Sequence, residues 1–255
     1  MNTFVLIPGA WLGAEAWAEV AEALRGSGAQ VLPISLPGLG ERTSEATAET
    51  DMEGYVNDVI AQILDADLRD VTLVGHSYGG SVASAVADRV SARLASVIYV
   101  DSGPLPSGSS YIDFLDSSQQ DFVNELVQDR GEGWLVPMPE WEEFGTGFAA
   151  SLDGLGVAER RLMRAGAAPQ PLKTWTQPVT RRDGAEVRCI PKVLISCSFP
   201  TAEVKELIAA GHPWFAEMSG PEWTFEELPT GHWPMFSRPQ DLARLLLEVT
   251  TAKTG

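Results

Sequence analysis

The stretch Val71-Thr72-Leu73-Val74-Gly75-His76-Ser77-Tyr78-Gly79-Gly80 constrains the fold more than any other part of the chain. Its first four residues read as a buried strand, the run breaks into Gly-x-Ser-x-Gly, and Ser81-Val82-Ala83-Ser84-Ala85-Val86-Ala87 continues as a helix. A serine on so sharp a strand-to-helix turn stands exposed at the strand end. The flanking glycines are needed because a side chain at either position would collide with neighbouring backbone. Ser77 is therefore the candidate nucleophile.

The same alternation recurs along the chain. Phe4-Val5-Leu6-Ile7 reads as a buried strand, and Trp17, Val20, Ala21 and Leu24, spaced i, i+3, i+4 and i+7, as a helix. Residues 30–35 form a short strand whose Pro33 suggests a place at or near a sheet edge. Asp51 is a plausible N-cap for a helix with an apolar stripe of Met52, Tyr55, Val56, Val59, Ile60, Ile63 and Leu64. A fourth strand, residues 95–100, ends at Asp101. Strands resume at residues 192–197 and 223–228, with helices from about Thr201 and over 239–249. Successive β-then-α units require a mostly parallel, doubly wound α/β sheet, here of about six strands.

Between the fourth strand and the next lie some eighty residues without strand periodicity, far more than an ordinary connection. Their aromatic content argues against disorder. The expected organisation is a core of residues 1–103 and 187–255 with a helical cap, 104–186, over the carboxyl ends of the strands, where such sheets bind ligands. Helices are expected around Phe122 to Val127 and over 157–164. Trp11, Trp134, Trp141 and Phe144 are candidates to line a pocket, with Met138, Phe148 and Trp175 beside them; the plainer alternative is that the cap aromatics form the cap's own core.

Charge narrows the partners. With 35 acidic against 18 basic residues the chain carries a formal charge of −17, which repels nucleic-acid backbones and anionic lipid alike, so a small-molecule substrate is expected. No apolar run is long enough to span a bilayer. The start lacks the basic region of a signal peptide, and the two cysteines, Cys189 and Cys197, exclude a disulfide framework, so a cytoplasmic location is expected. No metal-ligand cluster, Gly-x-Gly-x-x-Gly or Walker loop is present, and no cofactor is expected.

A serine hydroxyl needs a base within reach, itself oriented by a third group. Of three histidines, His76 sits on the turn and suits a structural hydrogen bond, and His212 suits a surface or packing role. His232, in the loop Pro229-Thr230-Gly231-His232 after the last strand, is the candidate base. Asp101 is the favoured acid; Glu203, a cap carboxylate or no acid at all stays open. Two backbone N–H groups must face the oxyanion, and Tyr78 and Ala10 are the candidates, with Trp11 the neighbour if the register slips.

Residues 4–11, Gly75-His76-Ser77-Tyr78-Gly79-Gly80 and Thr230-Gly231-His232 together resemble the α/β-hydrolase superfamily, in particular its compact branch of plant methylesterases, hydroxynitrile lyases and bacterial esterases. The resemblance covers the chain apart from the cap, and the order of serine before histidine agrees with it. It departs in two places: Pro8-Gly9 stands where the family usually has His-Gly, and the usual acid after the post-cap strand is absent from Ser198-Phe199-Pro200. Residues 99–106 are instead similar to the acid site of some haloalkane dehalogenases, although serine at 77 argues against dehalogenation. The resemblance implies a serine hydrolase of a carboxylic ester, lactone or thioester of a small, largely apolar substrate. The alternatives are a lyase or cyclase using the same residues for proton transfer, or a ligand-binding protein on the scaffold.

Overall fold

The structure, a computed structural model, describes residues 2–148, 150–182, 187 and 189–251. The elements follow in chain order: β1 Thr3–Ile7, α1 Ala18–Gly26, β2 Gln30–Pro33, α2 Met52–Asp65, β3 Val71–His76, α3 Tyr78–Arg89 and β4 Leu94–Val100. Next come α4 Ser117–Arg130, β5 Leu135–Val136, α5 Phe144–Gly147, α6 Val157–Gly166, β6 Gln170–Pro171 and α7 Lys173–Thr176. The chain ends with β7 Lys192–Ser196, α8 Thr201–Ala209, β8 Trp223–Glu227, α9 Pro234–Ser237 and α10 Pro239–Thr251.

Six strands form one sheet in the order β2-β1-β3-β4-β7-β8, and every neighbouring pair is parallel. β1, β3 and β7 are buried throughout, as their unbroken apolar runs require of strands covered on both faces. β2, with Pro33, takes an edge, where a missing N–H costs no ladder bond. Because successive crossovers are right-handed, the reversal of direction between β1→β2 and β2→β3 puts α1 and α2 on opposite faces. α1 packs with α10 on one side and α2 with α3 on the other.

Local chemistry explains the helix ends. The Asp51 carboxylate accepts the Gly54 N–H at 2.8 Å and starts α2. Met52, Tyr55, Val56, Val59 and Ile63 are buried from α2, whereas Leu64, expected in the same stripe, is 43% exposed and lies outside the buried face. α3 is buried almost all round by small residues, as a helix wedged between sheet and α2 must be.

Residues 101–191 leave the sheet after β4 and return to it at β7. Contrary to expectation this excursion contains a small antiparallel sheet, β5 against β6, with Val136 opposite Gln170. Strands of two residues cannot display a period of two, so the sequence carries no trace of them. The return is pinned by Arg181, whose guanidinium meets the buried Asp88 carboxylate of α3 at 2.6 and 3.1 Å. The expected boundary of the insertion at residue 186 lies outside the described residues. Among the described residues no helix is long and apolar enough to cross a membrane.

Candidate active site

The carboxyl ends of β1, β3, β4, β7 and β8 all face one side, and the order of strand addition reverses between β1 and β3, where a crevice must open. Ser77 lies at that point. Its φ of 49° and ψ of −124° place it in a conformation that a non-glycine residue adopts only when its surroundings impose it, at a cost of roughly 1–3 kcal/mol. The neighbours do impose it. A Cβ on Gly75 would lie 2.6 Å from the Gly79 carbonyl oxygen, and one on Gly79 would lie 2.4 Å from that of Pro8. The Ser77 N–H donates to Val100 O at 3.2 Å, and the Ser102 hydroxyl donates to Ser77 O at 2.5 Å. Asp101 (φ 45°) and Trp11 (φ 67°), in the loops after β4 and β1, share the left-handed conformation.

The structure brings Ser77, His232 and Asp101 together. His232 Nε2 is 2.8 Å from Ser77 Oγ, and His232 Nδ1 is 2.6 Å from Asp101 Oδ2. A carboxylate only accepts, so Nδ1 carries the proton and Nε2 presents its lone pair to the serine hydroxyl. Asp101 also accepts from the Cys197 N–H at 2.8 Å, the Ser198 N–H at 2.9 Å and the Ser198 hydroxyl at 2.5 Å. Burial alone would raise the Asp101 carboxyl; the bonds from His232 and Ser198 outweigh it and hold the group below its ordinary value. Glu203 lines the same cavity from the first turn of α8, but Nδ1 of His232 is bonded to Asp101.

Ser198 is a functional neighbour that sequence reasoning missed. The loop that lacks the usual acid supplies three of the hydrogen bonds to the acid after β4, and the only signal was a hydroxyl residue one position past the expected strand 192–197. His76 makes the structural bond expected of it: Nε2–H donates to His232 O at 2.6 Å, while Nδ1 is buried with no partner. Burial first, and the nearby His232 second, push this imidazole well below its ordinary value, so it stays neutral. His212 accepts the Trp214 N–H at 3.3 Å at the start of a 3₁₀ helix. The Cys197 thiol is pushed up by burial, then by Asp101, and remains a buried, protonated neighbour.

The loop after β1 is fastened by the excursion. Trp11 donates its N–H to Gln170 Oε1 at 3.2 Å and its indole N–H to Val136 O at 2.9 Å, and its carbonyl accepts from Ala168 N–H at 2.9 Å. The Trp11 N–H is thus occupied, whereas that of Ala10 has no acceptor among the described residues. Tyr78 N–H is the first of α3, ahead of any helical hydrogen bond.

Beside these groups lies a cavity of about 360 Å³. Ala10, Trp11, Ser77, Asp101 and His232 line its floor, and Tyr111, Phe144, Phe148, Trp175, Trp214 and Trp233 much of its wall. Trp134, Met138 and Trp141, expected as lining, do not reach it. Trp141 stacks on Phe144 at 5.6 Å with the Arg164 guanidinium 4.9 Å from its ring centre, which turns it away from the cavity. Trp134 sits in the turn after α4, held by backbone bonds to Gly131 and Leu172, and Met138 is buried with its carbonyl on Arg164.

Comparison with known proteins agrees with this architecture. Residues 4–245 match the model of the alpha/beta hydrolase family. The chain is 30% identical to a carbendazim hydrolyzing esterase of Nocardioides sp., over 96% of this chain and 98% of that protein. It is 26% identical to methylesterase 3 of Arabidopsis thaliana, over 96% and 94%. Among solved structures, an extracellular alpha/beta-hydrolase from a Paenibacillus species superposes with a TM-score of 0.77 at 24% identity, covering 97% of this chain and 98% of that one. With the family matched along nearly the whole chain, and relatives named esterases and methylesterases, the protein belongs to the alpha/beta hydrolase family as an esterase-like hydrolase.

Proposed function

We propose that the protein is a serine esterase that cleaves a carboxylic ester, lactone or thioester of a small, largely apolar substrate through an acyl-enzyme. The observation that carries this reading is the continuous Ser77–His232–Asp101 hydrogen-bond chain, 2.8 and 2.6 Å, opening on an aromatic cavity. Ser77 Oγ attacks the carbonyl carbon while His232 Nε2 takes its proton. Asp101 keeps the Nδ1–H tautomer and stabilises the imidazolium that forms. The tetrahedral oxyanion is held by the N–H groups of Ala10 and Tyr78. His232 then returns the proton to the leaving alcohol, and water repeats the sequence on the acyl-enzyme. The N–H groups of Tyr78, next to the serine, and of Ala10, which lines the same cavity, have no acceptor among the described residues, and this favours acyl transfer over simple proton shuttling, which would not need them.

In this reading residues 104–186 act as a cap whose aromatic side chains decide what reaches Ser77. The names of the esterase and methylesterase relatives support ester hydrolysis, and the two free cysteines support the cytoplasmic location. The test is hydrolysis of p-nitrophenyl acetate and butyrate by the wild type and by Ser77→Ala, with an expected loss in kcat on the order of 10⁶. Wild-type rates no faster than the variant's would remove the proposal.

A further inference from the structure

The cavity is lined largely by aromatic and aliphatic side chains and carries little charge. Among the described residues that line it there is no lysine or arginine, and its carboxylates are those of Asp101 and Glu203. Asp101 is committed to His232, Cys197 and Ser198. Glu203 is exposed in the first turn of α8, on the face that also turns Val204 and Leu207 to the cavity. The 3₁₀ helix Pro213–Ser219 packs on α8 and adds Trp214 and Phe215 to the lining. Phe114, 51% exposed, meets Trp214 edge-on at 5.4 Å and also lines the cavity. Cations on the surrounding elements are engaged elsewhere: Arg181 with Asp88 and Glu217, Arg238 with Asp241, Arg164 over Trp141, and Lys205 over Phe225.

These surroundings treat the two signs of charge differently. A carboxylate or phosphate entering the cavity gives up water and gains no counter-charge, against ring faces that are themselves electron-rich. A cation finds those faces and the Glu203 carboxylate together, the combination that recognises ammonium groups.

We propose that the site selects its substrates by charge, taking esters with a trialkylammonium or protonated amine group remote from the carbonyl first, their uncharged isosteres second, and turning away esters that carry a carboxylate. The proposal rests on the reading of Ser77 as the reacting group and adds the substrate class.

Binding is the test, because it does not depend on turnover. Ser77→Ala is titrated calorimetrically at low salt with three phenyl esters of matched shape: 4-(trimethylammonio)butyrate, its carbon isostere 5,5-dimethylhexanoate, and hydrogen adipate. The ammonium ester is expected to bind about ten-fold more tightly than the adipate monoester or better, with the isostere between. Glu203→Lys changes the formal charge of −17 by only two, yet is expected to erase or reverse the order. Equal binding of all three, a preference for the adipate, or an order that survives Glu203→Lys and therefore belongs to the overall charge, overturns the proposal. Failure of the wild type to hydrolyse the isostere would count against the esterase reading and leave the binding order to judge charge selection separately.

Discussion

The two sides of the site are held by different forces. On the sheet side, position comes from backbone: Ser77 and Asp101 are locked at φ of 49° and 45°, and four donors converge on one carboxylate. On the side of the excursion, position comes from rings. Trp11 meets Phe144 at 5.9 Å and Trp175 at 5.8 Å, and Phe144 meets Trp233 at 5.2 Å. Backbone and charged hydrogen bonds hold atoms within tenths of an ångström, which bond-making requires; aromatic packing tolerates substitution and sets shape. In the proposed reaction the sheet side would therefore govern how fast the bond breaks, and the excursion which molecules arrive.

The comparison can be broken by substitutions that cross it. Asp101→Asn keeps the shape of the carboxylate but lets the wrong His232 tautomer form, so kcat is expected to fall on the order of 10⁴ with little change in KM. Steady-state kinetics with an unchanged circular dichroism spectrum checks this. A rate near that of the wild type would move the acid role to Glu203 or leave a two-residue system.

The next effect lies in stability. His76 is neutral when folded because its imidazole is depressed, while in the unfolded chain it protonates as the pH falls through about 6.5. The unfolded state then binds the extra proton, so the contribution is absent above pH 6.5 and costs stability progressively below it. At pH 5 the cost is about 2 kcal/mol, which His76→Gln removes while keeping a donor for His232 O. Denaturation by urea between pH 5 and 8 should show a flatter acid side for the variant; parallel curves would exclude this account of His76.

The smallest effect belongs to the other side. Phe148, half-buried against Trp11 and Trp175, loses only wall area in Phe148→Ala. KM for small esters should rise about ten-fold with kcat nearly constant, and bulkier acyl groups should gain relative to acetate. A collapse of kcat instead would show that the ring wall takes part in holding the reacting atoms.

What could be read from the sequence follows the same division. The strands were legible because burial on both faces forces continuous apolar runs, and Ser77 and His232 because each sits in a short loop at a strand end. The choice between Asp101 and Glu203 was not, since it depends on donors from Cys197 and Ser198, some ninety-six positions along the chain from Asp101. Ala10 and Trp11 were likewise separated only by Gln170, 159 positions away. Trp134 and Trp141 are as aromatic as Trp175, but composition does not say which way a ring turns; guanidinium groups on Trp141 decide that.

The central claim is that Ser77 is the group that forms a covalent bond to substrate. A fluorophosphonate probe followed by peptide mass spectrometry tests it directly. The account predicts one adduct, on Ser77, absent in Ser77→Ala and formed far more slowly in Asp101→Asn. A protein that hydrolyses p-nitrophenyl butyrate yet stays unlabelled, or carries the adduct on another residue, would contradict it.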